Sequence, residues 1–116
     1  MPVTIYHNPR CTTSRKTLAL LREKGVEPKI VEYLKTPPSA AELKQILGRL
    51  KLPASRLLRK KEAAAAGLDP KAVSTMSEDA LIAAMVAHPI VIERPIVVSG
   101  EKAALGRPPE AVLAVL

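Results

Sequence analysis

The chain opens with a strand–helix–strand pattern, and this order limits the folds available to it. Residues 3–6 form a short β-type run, residues 12–24 carry an apolar helical face, and residues 29–33 are again β-type. Gly25 follows the helix, as a C-terminal capping glycine does. A unit of this length predicts two parallel strands joined by a right-handed crossover.

The only cysteine of the sequence, Cys11, lies where the first strand gives way to the helix. Unpaired backbone N–H groups and the helix dipole favour an anion at such a position, so this thiol is expected to ionise more readily than a free cysteine. Arg10, Arg15 and Lys16 add positive charge beside it. A lone cysteine is commonly a buried core residue, but these polar neighbours argue against that role. The thiolate is the nucleophilic form, so the junction is predicted to support sulfur chemistry.

The composition of the 116 residues fits one domain with a single core. Two Tyr and no Phe or Trp leave the core to aliphatic side chains, and they argue against a nucleic-acid surface built on aromatic stacking. The net charge of +7 is spread along the chain, and its densest cluster, residues 56–61, selects no partner by itself. No run approaches the roughly 20 apolar residues of a membrane span, and no signal peptide is apparent. Together with a lone cysteine, these features predict a cytoplasmic protein that does not enter membranes.

The middle of the chain is predicted to be a helical insert over about residues 39–88. Ser39 and Glu42 form a capping box at the start of one helix. Another helix is expected to begin after Thr75 or Ser77. Shorter helical segments are predicted over residues 54–58 and 61–66.

The last third of the chain is β-branched. Residues 90–92 and 96–98 are two such runs, and a turn signal after the second lets residues 103–105 return as the other arm of a hairpin. A closing helix follows Pro108 and Pro109. The order βαβ, helical insert, ββα, with a cysteine at the first strand–helix junction, is the thioredoxin arrangement, and it predicts an α/β fold with a mixed four-stranded sheet.

Four segments resemble the glutaredoxin-linked arsenate reductases, the ArsC-like family. They are YHNPRC at 6–11, LLRK at 57–60, ERPIVV at 93–98 and GRP at 106–108. Each segment alone is weak evidence, but their order within so short a chain is specific. The resemblance covers essentially the whole chain as a single domain.

This resemblance implies the following site. Cys11 matches the catalytic cysteine, which attacks arsenate and forms a thiol–arsenate adduct. Arg59, Arg94 and Arg107 match three arginines that bind the oxyanion. Guanidinium groups suit this task because they stay charged and donate to oxyanion oxygens in a planar fork.

The same resemblance implies roles for three further residues. His7 and Ser14 match residues that help to hold the cysteine as thiolate, and Pro95 matches a proline that thioredoxin-like folds hold in cis. No metal site is expected, because two histidines and one cysteine lack ligand spacing.

The cysteine count bears on the redox cycle. Reduction of arsenic(V) to arsenic(III) takes two electrons from thiols, and this chain owns one thiol. An internal disulfide relay is therefore excluded, and the second thiol must come from outside. The resemblance implies glutathione as co-substrate and then glutaredoxin as partner, with no bound cofactor, and the protein is expected to act as a monomer.

Two other functions stay open. A glutathione-dependent thiol oxidoreductase acting on another substrate would use the same cysteine, because fold does not fix substrate. An Spx-like regulator that binds RNA polymerase is the alternative from a different class. Spx-type regulators often carry a Cys-x-x-Cys switch, which Ser14 excludes here.

Overall fold

The structure is a computed structural model, and it describes residues 2–116, apart from the side chain of Pro70. The chain divides into two compact units. One combines the chain up to Thr36 with Arg94–Leu116, and the other is Pro37–Glu93. The predicted helical insert of about 39–88 falls inside the range of the second unit.

The first unit is built on a mixed sheet, as predicted. Among the described residues its strands, in the spatial order β2-β1-β3-β4, are β1 (Val3–His7), β2 (Lys29–Glu32), β3 (Ile96–Ser99) and β4 (Lys102–Leu105). The central strand β1 pairs in parallel with β2, placing Ile5 opposite Ile30. It pairs antiparallel with β3, placing Ile5 opposite Val97. The hairpin between β3 and β4 turns at Gly100, whose φ is +60°.

Helix α1 (Thr12–Glu23) joins the two parallel strands. Gly25 adopts φ +79° just after it, and the N–H of Val26 donates to the carbonyl of Leu21 at 2.9 Å, so the helix ends as the sequence predicts. The core of this unit is aliphatic. Its fully buried members are Ile5, Leu21, Val97 and Val112.

The closing helix is a 3₁₀ helix, Pro109–Val115, and not the α-helix of the predicted ββα order. Its turns close over three residues, as in the bond from the N–H of Ala111 to the carbonyl of Pro108 at 3.0 Å. Val112 is nevertheless fully buried, so the segment completes the core.

The second unit is helical. Its elements are α2 (Ala40–Leu50), α3 (Ala54–Leu57), α4 (Lys60–Ala65), α5 (Pro70–Thr75), α6 (Glu78–Ala87) and a 3₁₀ helix, Pro89–Val91. The side chain of Ser39 accepts from the N–H of Glu42 at 3.2 Å, which confirms the predicted start of α2. Ser77 rather than Thr75 caps α6, accepting from the N–H of Ala80 at 3.2 Å. No helix in the described part of the chain has both the length and the apolarity to cross a membrane.

Helix α5 is not predicted from the sequence. It starts at Asp69, whose side chain accepts from the N–H of Lys71 at 2.9 Å, with Pro70 at the first helical position. Asp followed by Pro is a helix-start signal, but the segment is too short and too polar to show apolar periodicity.

The β-branched run at 90–92 does not become a sheet strand. Part of it lies in the 3₁₀ helix, and Ile92 forms an isolated antiparallel bridge with Leu58. Val91 and Ile92 are almost fully buried within the helical unit. Their β-branched character therefore reflects burial in a core and not a place in the sheet.

Candidate active site

A short loop, in which Asn8 is buried, connects β1 to α1 and sets the position of Cys11. The side-chain Oδ1 of Asn8 accepts from the N–H of Arg10 at 3.0 Å, and its carbonyl accepts from the N–H of Cys11 at 3.0 Å. Cys11 is thereby held as the N-cap of α1, in an extended conformation with φ −91° and ψ 121°. Asn8 is not among the site residues predicted from the sequence. The signal was available, because Asn before Pro is typical of such turns.

Arg15 stabilises the same loop from outside. Its Nη1 donates to the carbonyl of Pro9 at 2.8 Å, and its Nη2 donates to the hydroxyl of Thr12 at 3.2 Å. The side chain is exposed. Its contacts give it a structural role in the loop next to the thiol.

The pKa of the half-buried Cys11 thiol is lowered. Burial raises this pKa, but the backbone N–H of Ser14, the guanidinium of Arg94 and the backbone N–H of Thr13 together outweigh burial. The two N–H groups belong to the first turn of α1, as the position of the cysteine predicts. The charge that lowers the pKa comes from Arg94 and not from the sequence neighbours Arg10, Arg15 and Lys16.

A second guanidinium lies at the sulfur. Nη2 of Arg107 is 3.8 Å from Sγ of Cys11, and Nε of Arg107 donates to the carbonyl of Arg94 at 2.8 Å. The Arg94–Pro95 and Arg107–Pro108 peptide bonds are both cis. The N–H of Gly106 donates to the carbonyl of Pro95 at 2.9 Å, so the two arginine-bearing segments are joined by direct backbone contacts.

His7 and Ser14 form a buried pair beneath the loop. Nδ1 of His7 lies 2.6 Å from Oγ of Ser14, and the N–H of Asn8 donates to the same Oγ at 3.1 Å. Burial lowers the pKa of His7, Glu32 raises it, and Arg15 and Arg22 lower it, with a net decrease from 6.5. The lowered pKa favours the neutral form of His7. Its side chain contacts the side chain of Ser14, while Ser14 acts on the thiol through its backbone N–H.

Arg59 belongs to the helical unit and has carboxylate neighbours there. Its Nε lies 3.3 Å from Oε2 of Glu62 and 3.6 Å from Oε1 of Glu93. All three side chains are mostly buried, with exposed fractions of 21 to 23%. Neither glutamate is predicted from the sequence to lie beside Arg59.

Comparison with known proteins gives the family. The family model for ArsC matches residues 6–115. The chain belongs to the ArsC family.

Individual ArsC-family relatives match over most of their lengths. The uncharacterised Escherichia coli K12 protein YfgD is 53% identical over 115 residues, covering 98% of this chain and 96% of YfgD. An arsenate reductase of Rhizobium meliloti is 47% identical over 119 residues, covering 100% of this chain and 82% of the relative. A solved structure of an arsenate reductase from Vibrio cholerae superposes with a TM-score of 0.88 at 47% identity, covering 100% of this chain and 98% of the other. The predicted family and the predicted thioredoxin-like α/β fold are confirmed.

Within the first unit, the structure brings together most of the residues that the ArsC resemblance singles out. They are Cys11, His7, Ser14, Arg94, Arg107 and Pro95. Between residues 2 and 116 there is no cluster of three or more His, Cys, Asp or Glu side chains that could hold a metal ion. A thiol with a lowered pKa beside two guanidinium groups can bind an oxyanion and attack its central atom.

Proposed function

We propose that this protein is an arsenate reductase in which the thiolate of Cys11 is the nucleophile and external thiols complete the reduction. The observation that carries this proposal is the pairing of one sulfur with two guanidinium groups, those of Arg94 and Arg107. The names of the ArsC relatives from Rhizobium meliloti and Vibrio cholerae support arsenate as the substrate.

The first step joins sulfur to arsenic. The Cys11 thiolate attacks the arsenic of arsenate, an S–As bond forms, and one arsenate oxygen leaves as water after protonation. Both reactants are anions, so their approach is electrostatically unfavourable. Arg94 and Arg107 offset this repulsion and the negative charge that develops on the arsenate oxygens.

The second step transfers two electrons. A glutathione thiolate attacks the sulfur of Cys11, an S–S bond forms, and the S–As bond breaks with its electron pair remaining on arsenic. Arsenic(V) becomes arsenic(III), and two thiols become one mixed disulfide. Glutaredoxin then removes the glutathione moiety by thiol–disulfide exchange and restores the Cys11 thiolate. This cycle requires a reducing compartment, which favours the cytoplasm.

The other residues singled out by the resemblance have supporting roles in this proposal. His7 fixes the side chain of Ser14, which keeps the first turn of α1 and its N–H groups aimed at the thiolate. Arg59 is the third oxyanion-binding arginine. Pro95 carries the backbone carbonyl that Gly106 contacts, next to both active-site arginines.

The test is a coupled assay of arsenate-dependent NADPH oxidation with glutathione reductase, glutathione and glutaredoxin. We expect activity in the wild type and none in Cys11→Ser. Wild-type protein that is folded and reduced but inactive with arsenate would contradict the proposal. In that event, activity with a glutathione mixed disulfide would favour another thiol substrate, and capture of RNA polymerase would favour a regulatory role.

A further inference from the structure

The backbone around Arg59 is fixed by a short antiparallel pairing inside the helical unit. The N–H of Arg59 donates to the carbonyl of Val91 at 2.7 Å, and the N–H of Glu93 donates to the carbonyl of Leu57 at 2.7 Å. This pairing flanks the bridge between Leu58 and Ile92. Arg59 and Glu93 consequently lie on two paired backbone segments, although 34 positions separate them in the sequence.

Helix α4 supplies the second carboxylate. Arg59 is the N-cap of this helix, and Glu62 lies in its first turn. A separation of three residues puts both side chains on the same face, and Nε of Arg59 lies 3.3 Å from Oε2 of Glu62. Glu93 approaches the same nitrogen at 3.6 Å. Both carboxylates therefore lie at the Nε of one guanidinium.

The other end of the guanidinium has a different environment. Nη1 of Arg59 is buried, and no atom of residues 2–116 accepts a hydrogen bond from it. A buried donor without an acceptor is unfavourable, and in a native protein such a group is explained by strain, a catalytic role, a water or a bound ion. The guanidinium thus has carboxylates at Nε and, among the described residues, no protein acceptor for Nη1, which can donate to an incoming anion.

We infer that Glu62 and Glu93 are positioning residues: they hold the Nε of Arg59 and leave its Nη1 to donate to a bound oxyanion. This inference rests on the proposed arsenate reduction, in which Arg59 binds the substrate. It assigns the two carboxylates a part in substrate affinity, although each carries the same sign of charge as the substrate. A mobile arginine would lose side-chain entropy on binding, and prior fixation reduces that cost.

A double-mutant cycle on KM for arsenate tests the inference. We expect Glu62→Ala and Glu93→Ala each to raise KM about fivefold, with kcat changed by less than about twofold, in the range of coupling between contacting residues. Glu62→Gln and Glu93→Gln keep the shape of the side chain but remove the charge that attracts Nε, so they should raise KM as the alanine variants do. In the Arg59→Ala background, the same alanine changes should no longer raise KM. Glu42→Ala, at an exposed glutamate of the same unit, is the control.

The outcomes separate the inference from the proposed function. A rise in KM of equal size with and without Arg59 would overturn the inference, because the carboxylates would then act independently of Arg59. A fall in KM would also overturn it, since it would show that the carboxylates compete with the oxyanion. A folded but inactive wild type would overturn the proposed function and the inference with it. Thermal unfolding of each variant checks folding, and a variant that fails to fold is replaced by its glutamine counterpart.

Discussion

At the scale of single residues, the reactivity of Cys11 arises from its place at a helix start together with one distant charge. The N–H groups of Ser14 and Thr13 come with the helix, whereas the guanidinium of Arg94 comes from the far end of the sequence. All three lower the pKa against the opposing effect of burial. The lowered pKa increases the thiolate fraction near neutral pH, where arsenate is anionic and its proposed reduction needs a strong nucleophile.

Removing Arg94 should therefore make Cys11 less acidic. The alkylation rate of a thiol follows its thiolate fraction, so a lowered pKa moves the midpoint of the pH–rate profile below that of a free thiol. In Arg94→Ala the loss of a hydrogen bond and a positive charge should raise the pKa, and we expect the midpoint to move to higher pH. Iodoacetamide alkylation across the neutral and alkaline range measures both values. Arg10→Ala, next to the thiol in sequence, should leave the midpoint in place, and an equal shift in both variants would contradict the account.

Arg107 should matter for rate rather than for folding. Its Nη2 lies 3.8 Å from Sγ, and its side chain is exposed, so an alanine variant removes a donor at the reacting atoms without opening a core. We expect Arg107→Ala to lose about 10²- to 10³-fold in kcat/KM, the range found when one oxyanion donor is removed. The coupled arsenate assay measures this loss. The exposed Lys102→Ala is the control, and near-full activity of Arg107→Ala would be inconsistent with its proposed role.

Ser14 should contribute mainly to stability through its side chain. Its fully buried hydroxyl is shared by His7 and the N–H of Asn8, and Ser14→Ala leaves both without that partner. The expected cost is about 1–3 kcal/mol of the free energy of unfolding. Urea denaturation measures it, with the exposed Ser55→Ala as the control for the same substitution. Unchanged stability in Ser14→Ala would refute this interpretation of the pair.

Some residues of the candidate site can be predicted from the sequence, whereas their tertiary contacts cannot. The place of Cys11 follows from local patterns, because a strand, a proline and a helical periodicity meet within a few positions. The contacts of Arg94 with Cys11, and of Glu93 with Arg59, depend on tertiary pairing and leave no local signal. The family resemblance located the arginines, but it did not indicate their partners.

At the scale of elements, the segment before Arg107 is fixed by a close approach to its neighbours. A Cβ placed on Gly106 would lie 2.6 Å from Oγ1 of Thr17 and 2.7 Å from Cγ of Pro95. Thr17 has little freedom to move, because it is fully buried and its hydroxyl donates to the carbonyl of Thr13 at 2.9 Å. Helix α1 and the proline segment thus meet at a position that only glycine fits.

Gly106→Ala is therefore expected to destabilise the protein by about 1–3 kcal/mol, as overpacking does. Gly48→Ala is the matched control. Gly48 lies within α2, and a Cβ added there would have nothing within 4 Å, so alanine should raise stability by about 0.5–1 kcal/mol. Thermal or urea unfolding of the two variants compares them. Equal effects of the two substitutions would contradict the packing argument.

Elements with strong local signals are those that the sequence analysis predicts well. Strand β1, helix α1 and the capped start of α2 follow from periodicity and capping residues. The 3₁₀ geometry of Pro109–Val115 and the non-strand state of residues 90–92 do not, because burial in a core selects apolar residues whatever the backbone conformation. In these two segments the apolar composition indicates burial, and only tertiary contacts decide the backbone conformation.

At the scale of the whole molecule, one thiol requires an intermolecular cycle. The sequence contains a single cysteine, so in the proposed reaction each turnover passes through a bond between Cys11 and a sulfur of another molecule. With arsenate and no external thiol, the protein should produce at most one arsenite for every two chains. The intermediate that distinguishes this cycle from an internal relay is the mixed disulfide of Cys11 with glutathione.

The most direct test is intact-mass spectrometry of the reduced protein incubated with glutathione, with and without arsenate, in the absence of glutaredoxin. The account predicts a glutathione adduct on Cys11 that accumulates only when arsenate is present, together with one equivalent of arsenite, and that disappears when glutaredoxin is added. Phosphate in place of arsenate should give no adduct, because it accepts no electrons from thiols. Arsenite formation without a Cys11 adduct, or in Cys11→Ser, would contradict the account.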